Sequence, residues 1–443
     1  MNPNLSPSSA TRREFVKSSA LAGGALATTI HFPHVANAAA AGDKIKIGWV
    51  GCGGRGTGAA NQALNADSNL VMWSMGDIFQ DKIDSGLDSL KKVQEKTPEK
   101  VNVAPARQFT GLDAFQKVLN SGVDVVLLTT SPGFRPMHIR AAIEAGKHVF
   151  AEKPMAVDGP GVRSVMESIK LAKQKNLALV DGFVWRWTTA NRDAFAKIHD
   201  GALGDIKALY TSYYTGAVDR YPKWNRTNTK TDLEWQIRRW YYFTWLSGDH
   251  IVEQGVHSID KLMWAMKDEP PESVICTGGR QVRPGEPGGE YGNIYDHFAA
   301  EYKWANGVKG YHFTRQFDRC HSEVTERVYG TKGVYEGESG SKRHVITGEN
   351  RWRWNGDKTQ NGYQTEHDEM YASIRAGKPI NTGDRFIKTT LCAIMARMAA
   401  YTGKEITWEM ALNSKEDLFP KDIHWDMKLP VAPVARPGQT AFI

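Results

Sequence analysis

The chain has 443 residues, 41% of them hydrophobic, and carries a formal net charge of +7 at pH 7. A chain of this length buries a large core and is expected to form two domains. Its lysines and arginines are interspersed with acids and form no basic block, which argues against a nucleic-acid partner. Its 4 cysteines are widely spaced, without a CxxC pair, which argues against a structural zinc site.

The N-terminal segment has the three parts of an export signal. Arg12 and Arg13 are followed by Phe15, then by a weakly apolar run over 18–29, then by Ala-Asn-Ala as a cleavage site. An ordinary secretory signal is the alternative, but paired arginines before a run diluted by glycine and threonine favour the twin-arginine route. We expect residues 1–38 to be removed and the mature protein to be periplasmic or otherwise exported, with no membrane span.

A glycine-rich loop follows the first predicted strand of the mature chain, which spans 44–50. A GxGxxG motif between a strand and a helix supplies a tight turn, close backbone approach to a pyrophosphate, and tight packing of helix on strand. We therefore expect a dinucleotide to bind at the loop residues Gly51, Cys52, Gly53, Gly54, Arg55 and Gly56.

Asp77 follows the second predicted strand, which begins at Leu70. An acid at this place accepts hydrogen bonds from the ribose hydroxyls of NAD. The alternative for Asp77 is a solvated turn. Arg55 leaves NADP open, because a guanidinium nearby is able to hold a 2′-phosphate. The pattern predicts NAD as the cofactor, with NADP as the alternative.

Strands and helices continue to alternate to about residue 186. The predicted strands span 123–129, 148–151 and 178–181, and the predicted helices span 136–145 and 161–175. This rhythm predicts an α/β Rossmann domain over 39–186, with a doubly wound parallel sheet. Ligands of such sheets bind beyond the carboxyl ends of the strands. The residues expected to face the cofactor are therefore Thr130, Ser131, Pro132, Glu152 and Lys153.

From about residue 187 the pattern changes to strands in which polar and apolar residues alternate. These predicted strands span 206–213, 296–304, 308–315 and 323–329. They predict an α+β substrate domain over 187–428 with an open, mainly antiparallel sheet, followed by an extended arm over 429–443. Most tryptophans here are expected to pack in the core, while Trp185 and Trp224 are weak candidates for stacking on a sugar ring.

The segment from Ser247 to Asp260 carries the densest set of titratable groups. On an α-helix, His250, Glu253 and His257 fall on one stripe, at i, i+3 and i+7. Glu253 then reaches His257 and orients its imidazole for proton transfer. His250 is in addition a candidate for contact with the substrate. Two alternatives stay open: a divalent-metal site made by the same three side chains, and a structural role for His250.

Several motifs together resemble one family. The run from Leu127 to Met155, with its Ser-Pro, AGKHV and EKPM sequences, is similar to the glucose-fructose oxidoreductase, inositol dehydrogenase and rhizopine catabolism family (Gfo/Idh/MocA). So are GALGDI over 201–206, YGTKG over 329–333 and AAYTGK over 399–404, and the resemblance covers nearly the whole mature chain. The chain departs from the family at Arg135, where many members have a histidine near the nicotinamide.

The resemblance implies an NAD(P)-dependent oxidoreductase that acts on CH–OH groups. It implies Lys153, Glu253 and His257 as the catalytic set, with His257 as the base and Lys153 on the reacting hydroxyl. The family commonly has aspartate where this chain has Glu253. It also implies that Arg186 reaches the nicotinamide, with a surface ion pair as the alternative. Subunit contacts through arms and open sheet faces in the family imply a homo-oligomer.

Export would separate a freely dissociating NAD from the pool that reoxidises it, so the cofactor is expected to stay bound. Two routes then restore the bound cofactor. In one, a second sugar takes the hydride, as in glucose-fructose oxidoreductase. The other is a redox-neutral glycosidase cycle that resembles glycoside hydrolase family 109. The intact EKP motif favours an oxidoreductase acting on a sugar, cyclitol or glycoside hydroxyl. A noncatalytic sugar-binding protein is a further alternative, against which the retention of Lys153 and His257 argues.

Overall fold

A computed structural model describes residues 43–218, 223–283, 291–338 and 343–443. The predicted export signal, residues 1–38, lies outside the described residues. Within the described ranges, no helix has both the length and the apolar character needed to cross a membrane.

The first domain is a six-stranded parallel sheet in the order β3-β2-β1-β4-β5-β6. Its strands are β1 (Ile45–Val50), β2 (Leu70–Asp77), β3 (Gln108–Thr110), β4 (Val125–Leu128), β5 (His148–Ala151) and β6 (Leu179–Asp181). The helices between them are α1 (Gly54–Asn65), α2 (Gln80–Val93), α3 (Ala114–Leu119), α4 (Arg135–Glu144) and α5 (Gly159–Gln174). The predicted Rossmann sheet is confirmed. Its strand order reverses between β1 and β4, which is where such sheets bind a dinucleotide.

The second domain is built on a nine-stranded sheet in the order β14-β13-β12-β11-β7-β10-β9-β8-β15. Its strands are β7 (Ile206–Thr215), β8 (Ser273–Gly279), β9 (His297–Lys303), β10 (Lys309–Gln316), β11 (Thr325–Gly330), β12 (Gly333–Glu338), β13 (His344–Gly348), β14 (Trp352–Arg353) and β15 (Ile406–Thr407). Strands β7 and β10 pair in parallel, and the other described neighbours pair antiparallel. The predicted open, mainly antiparallel sheet is confirmed.

One long helix connects the two sheets. The helices of this part of the chain are α6 (Thr189–His199), α7 (Asp232–Arg238), α8 (Thr244–Ser247), α9 (Val256–Ala265), α10 (Gly362–Arg375), α11 (Gly383–Thr402) and α12 (Trp408–Asn413). Helix α11 is buried along most of its length and packs against α5 of the first domain and β8 of the second. Its largely apolar sequence follows from this position, because a helix covered on all sides has no solvent face to make polar.

After the second sheet, the chain returns to the first domain. Helix α10 packs against α1, and its Met370, Tyr371 and Ile374 side chains join the apolar core that includes residues of β1 and β2. Asn381 then forms a parallel bridge beside Leu179 at the end of the Rossmann sheet. A helix from the far end of the chain therefore completes the core of the nucleotide domain.

An irregular segment, residues 414–443, follows α12, and we call it the tail. The predicted arm over 429–443 is its second half. Ser414 Oγ donates a hydrogen bond to the main-chain oxygen of Ile443 at 2.6 Å, so the two ends of the tail lie together.

Met370→Ala is expected to lower the free energy of unfolding by about 2–5 kcal/mol, because it leaves a cavity under α10. The Met370 side chain is fully buried, whereas Val93 at the end of α2 is 58% exposed. Val93→Ala is the control, with an expected change within about 0.5 kcal/mol. Urea unfolding of both variants measures these changes. Equal losses of unfolding free energy in the two variants would contradict the packing of α10 in the core of the first domain.

Candidate active site

The glycine loop between β1 and α1 provides a cradle for a pyrophosphate. Gly51 has a φ of +94°, and a Cβ there would lie 2.6 Å from the main-chain nitrogen of Thr130. A Cβ at Gly56 would lie 2.2 Å from the oxygen of Gly51, whereas Gly53 and Gly54 have nothing within 4 Å of that position. The loop is thus tightly packed at Gly51 and Gly56 and open at Gly53 and Gly54, at the N-terminus of α1. This arrangement fits the pyrophosphate of a dinucleotide.

Asp77 lies beside this loop at the end of β2. Its carboxylate accepts hydrogen bonds from the main-chain N–H groups of Cys52 at 2.7 Å and Phe79 at 3.0 Å. Burial raises the pKa of Asp77, and burial likewise raises the pKa of the Cys52 thiol well above its ordinary value. The two backbone bonds fix the carboxylate next to the cradle, where an adenosine ribose is bound in this fold.

Arg55 points from α1 toward the end of β5. Its Nε lies 2.5 Å from Glu152 Oε1, and its Nη2 lies 3.5 Å from Glu366 Oε1. The ring of Tyr363 lies 4.4 Å from the guanidinium, and burial raises the pKa of Glu366 well above its usual range. Arg55 therefore links the glycine loop to β5 and α10 and is not aimed at a 2′-phosphate beside Asp77. The NADP alternative loses its structural basis here.

Arg135 fixes the two loops that follow β4 and β5. Its buried guanidinium donates hydrogen bonds to the main-chain oxygens of Thr130, Glu152 and Pro154. Burial lowers the pKa of Arg135 to about 10. The arginine at the position where the chain departs from the resembled family therefore has a structural role. It holds the loop with Ser131 and Pro132 beside the loop with Glu152 and Lys153.

Lys153 is bound to Glu253 across the two domains. Its Nζ donates to the side-chain Oε1 and to the main-chain oxygen of Glu253, at 2.6 Å each. The two side chains are 12% and 8% exposed. The ammonium at the end of β5 is therefore held by the segment that leads into α9.

That segment is a turn of π-helix, Ile251–Gly255. Because a π-helix closes its hydrogen bonds at i→i+5, the predicted α-helical stripe of His250, Glu253 and His257 is wrong. The predicted hydrogen bond from Glu253 to His257 is also wrong. Glu253 turns to Lys153 instead, and Nδ1 of His257 has no hydrogen-bond partner among the described residues. Single π-turns inside helices occur frequently at functional sites.

His250 faces away from Lys153, into a fully buried network. Its Nδ1 lies 3.1 Å from Asp249 Oδ1 and 3.2 Å from the main-chain oxygen of Tyr295. The weak assignment of His250 to the substrate is therefore corrected, and the structural alternative holds. In the part of the chain that the structure describes, no group of three or more His, Cys, Asp or Glu residues is placed to hold a metal ion.

His257, on the first turn of α9, lies beside two aromatic rings. Its ring centroid lies 5.0 Å from that of Trp185 and 5.9 Å from that of Phe183. Burial, with the charges of Lys153 and Lys261, lowers the pKa of His257 well below its ordinary value. The imidazole is therefore neutral at neutral pH and able to accept a proton.

Two polar residues beside this group were not identified from the sequence. Tyr213 on β7 donates a hydrogen bond to Gln254 Oε1 at 2.7 Å, and its ring lies 6.5 Å from that of Trp185. Burial, then the charge of Glu253, raises the pKa of Tyr213, so its hydroxyl stays neutral. No motif marks Tyr213, although its position on an alternating strand places it on one face of the sheet.

Trp224 packs near the loop that follows β2. Its ring lies 3.8 Å from the guanidinium of Arg238, which in turn lies 3.8 Å from the ring of Phe79. Phe79 is two residues from Asp77. The weak assignment of Trp224 to the substrate is therefore corrected, while Trp185 does lie beside His257.

Arg186 is a buried structural cation. Its guanidinium binds both carboxylate oxygens of Asp260, at 2.7 and 2.8 Å, and those of Asp268, at 2.6 and 3.2 Å. Burial opposes its charge, but Asp260 and Asp268 more than offset this and raise the pKa of Arg186. The implied contact with nicotinamide is corrected, because these two acids occupy the guanidinium.

Arg186→Met is expected to cost about 3–5 kcal/mol of stability, because it leaves Asp260 buried without its cation. Urea unfolding checks the loss. Arg140→Met removes an exposed i,i+4 pair with Glu144 and is the control, with an expected change of about 0–1 kcal/mol. Unchanged stability together with weaker NAD binding would restore the nicotinamide contact.

Two family models match the chain in succession. The first, described as "Oxidoreductase family, NAD-binding Rossmann fold", matches residues 45–183. The second, the "GFO/IDH/MocA C-terminal domain", matches residues 192–336. Together they cover more than half of the chain.

Curated relatives include two proteins that are named as dehydrogenases. The inositol 2-dehydrogenase of Gluconacetobacter diazotrophicus is 26% identical over 240 residues, 54% of this chain and 65% of that protein. The levoglucosan dehydrogenase of Pseudarthrobacter phenanthrenivorans is 26% identical over 205 residues, 44% of this chain and 50% of that protein. The chain thus matches less than two thirds of the length of each.

Solved structures share the fold over most of the chain. An aldose-aldose oxidoreductase from Caulobacter crescentus, complexed with glycerol, has a TM-score of 0.64 at 19% identity, over 82% of this chain and 99% of that one. The WlbA dehydrogenase from Bordetella pertussis, complexed with NADH and UDP-GlcNAcA, has a TM-score of 0.62 at 19% identity, over 82% and 98%. At such identities the likeness establishes the two-domain fold.

Proposed function

Because this chain belongs to the Gfo/Idh/MocA oxidoreductase family, we propose that it oxidises a hydroxyl of a sugar, cyclitol or glycoside with NAD. One observation carries this proposal. The Lys153 ammonium is held by Glu253, and burial, then the charge of Lys153, lowers the pKa of the His257 imidazole in the same site. A fixed cation and a neutral base next to a dinucleotide cradle are the groups that alcohol oxidation requires.

Each of these side chains has a distinct task. NAD, when bound, supplies the acceptor for the hydride that leaves the carbon. Lys153 donates a hydrogen bond to the reacting oxygen and stabilises the negative charge that develops there. Glu253 holds the ammonium in place, and the imidazole of His257 takes the hydroxyl proton, so that the product is a carbonyl compound.

The aromatic surroundings of His257 support a carbohydrate-like substrate. Trp185 is half-buried next to the imidazole, and the half-buried ring of Tyr213 lies beside Trp185. Aromatic faces pack well on the apolar faces of sugar rings. Curated relatives are named inositol 2-dehydrogenase and levoglucosan dehydrogenase, both for compounds with ring hydroxyls. The substrate we propose is therefore a ring polyol or sugar.

Export through the twin-arginine signal is part of the same proposal. Outside the cytoplasm a released NADH would not be reoxidised, so the cofactor stays bound through many turnovers. The hydride is then passed to a second carbonyl compound that enters the same site. Arg12 and Arg13 in front of an apolar run support this location.

The purified mature protein is expected to release a nicotinamide dinucleotide when it is denatured. Before denaturation, a free sugar should reduce the bound cofactor and produce a stable absorbance band at a wavelength near that of NADH. Protein without releasable dinucleotide would contradict cofactor retention. Release of the leaving group from an aryl glycoside, with no net absorbance change, would indicate a redox-neutral glycosidase instead.

Lys153→Met and His257→Gln are each expected to slow reduction of the bound cofactor by about 10²- to 10⁴-fold, because each removes a group that acts on the hydroxyl. Stopped-flow absorbance measures the rate, and NAD binding is measured separately. The controls are Lys170→Met and His321→Gln, whose side chains are 65% and 73% exposed. Near-normal rates in the first two variants would exclude both roles.

The lowered pKa of His257 makes a prediction about pH. A base is active when neutral, so kcat/KM should hold as pH falls through about 6.5, the ordinary pKa of histidine, and decline only below it. The pH profile of kcat/KM, measured with a free sugar that reduces the bound cofactor, checks this. An acid limb at or above the ordinary value would contradict His257 as the base.

A further inference from the structure

In this fold the adenosine end of a dinucleotide lies at the carboxyl edge of the sheet, beside the acid that ends β2. Two loops flank that place in this chain. One runs from Asp77 to Phe79 after β2, and the other runs from Ser131 to Phe134 after β4.

Both loops are covered by aromatic residues from outside the Rossmann sheet. Phe79 and Phe134 are 9% and 2% exposed. The ring of Trp425 in the tail lies 6.0 Å from Phe79, and the ring of Phe419 in the tail lies 5.1 Å from Phe134. Trp245 on α8 lies 6.1 Å from Phe134 and 5.6 Å from Phe419. The five rings belong to one apolar cluster.

Arg238 at the end of α7 adds a second clamp on the loop after β2. Its guanidinium lies between the rings of Phe79 and Trp224, 3.8 Å from each. Its Nη1 and Nη2 donate to the carboxylate of Asp81 on α2 at 3.2 and 2.9 Å, and its Nε donates to Glu234 at 2.9 Å. The Arg238 side chain is only 8% exposed, whereas that of its partner Asp81 is 49% exposed.

The tail is fixed in place on both sides of these rings. The main-chain nitrogen of Leu418 donates to Asp158 Oδ2 at 2.9 Å, at the start of α5. Gln236 on α7 donates to the main-chain oxygen of Leu429 at 2.6 Å. The tail, residues 414–443, lies outside both stretches that the family models match.

We propose that the tail and α7 form a retaining wall over the adenosine end of the dinucleotide. The two flanking loops cannot move apart unless the aromatic cluster and the Arg238 clamp break. Dissociation of the cofactor therefore requires these contacts to break, a step that a Rossmann sheet without the tail and α7 would not need. None of the ring contacts or hydrogen bonds given above for this wall involves Lys153 or His257, so in this proposal substrates exchange at that edge while the nucleotide stays.

This inference rests on the proposed retention of the cofactor, and dissociation kinetics test the two separately. The full mature protein is loaded with NADH, mixed with excess NAD, and followed by NADH fluorescence. In wild-type protein we expect slow release. In Phe419→Ala/Trp425→Ala we expect release to be at least about tenfold faster, because two of the rings that close the wall are gone.

Arg238→Met is a second variant that removes the clamp and keeps the side-chain bulk, and it too is expected to accelerate release. Tyr329→Ala is the matched aromatic control, since Tyr329 is 38% exposed on β11. Unfolding midpoints identify any variant that fails to fold. Slow release from the wild type and from both folded variants would overturn the wall and leave retention intact. Fast release from the wild type would overturn retention itself.

Discussion

The arrangement of the site depends on the contact between Lys153 and Glu253. One hundred residues separate the two in sequence, and their bond joins the end of β5 to the turn that begins the α9 region. The π-turn makes this contact, because it presents both the main-chain oxygen and Oε1 of Glu253 to the same ammonium. Breaking so buried a pair is costly, on the order of 3–5 kcal/mol. The ion pair thus sets the position of Lys153 relative to His257 and couples the two domains.

Local sequence predicts the Rossmann half well, because its strands are buried on both faces and appear as short apolar runs. The strand predicted over 148–151 is β5 with the same bounds, and the predicted glycine loop joins β1 to α1. The same reasoning fails at residues 250–257. A π-turn has no distinct residue pattern, so α-helical spacing placed His250 beside Glu253 when it belongs to a buried network with Asp249.

Long-range partners account for the other differences. The pairing of Arg186 is not visible in the local sequence, because its partners Asp260 and Asp268 come 74 and 82 residues later. Arg135 stands where the resembled family often has histidine, and its role in joining two loops is visible only once those loops are adjacent. The return of α10 to the first core and the path of the tail depend likewise on tertiary packing, which local periodicity does not record.

The most direct test of the account is the rate at which a sugar reduces the bound cofactor in Glu253→Gln. This change keeps the shape of the side chain and removes the charge that holds Lys153. We predict that reduction slows by roughly tenfold or more while the dissociation constant of NAD changes less than about twofold. Glu253→Asp should keep most of the rate, since the family commonly has aspartate there. A Glu253→Gln rate equal to the wild type would contradict the central role of the ion pair.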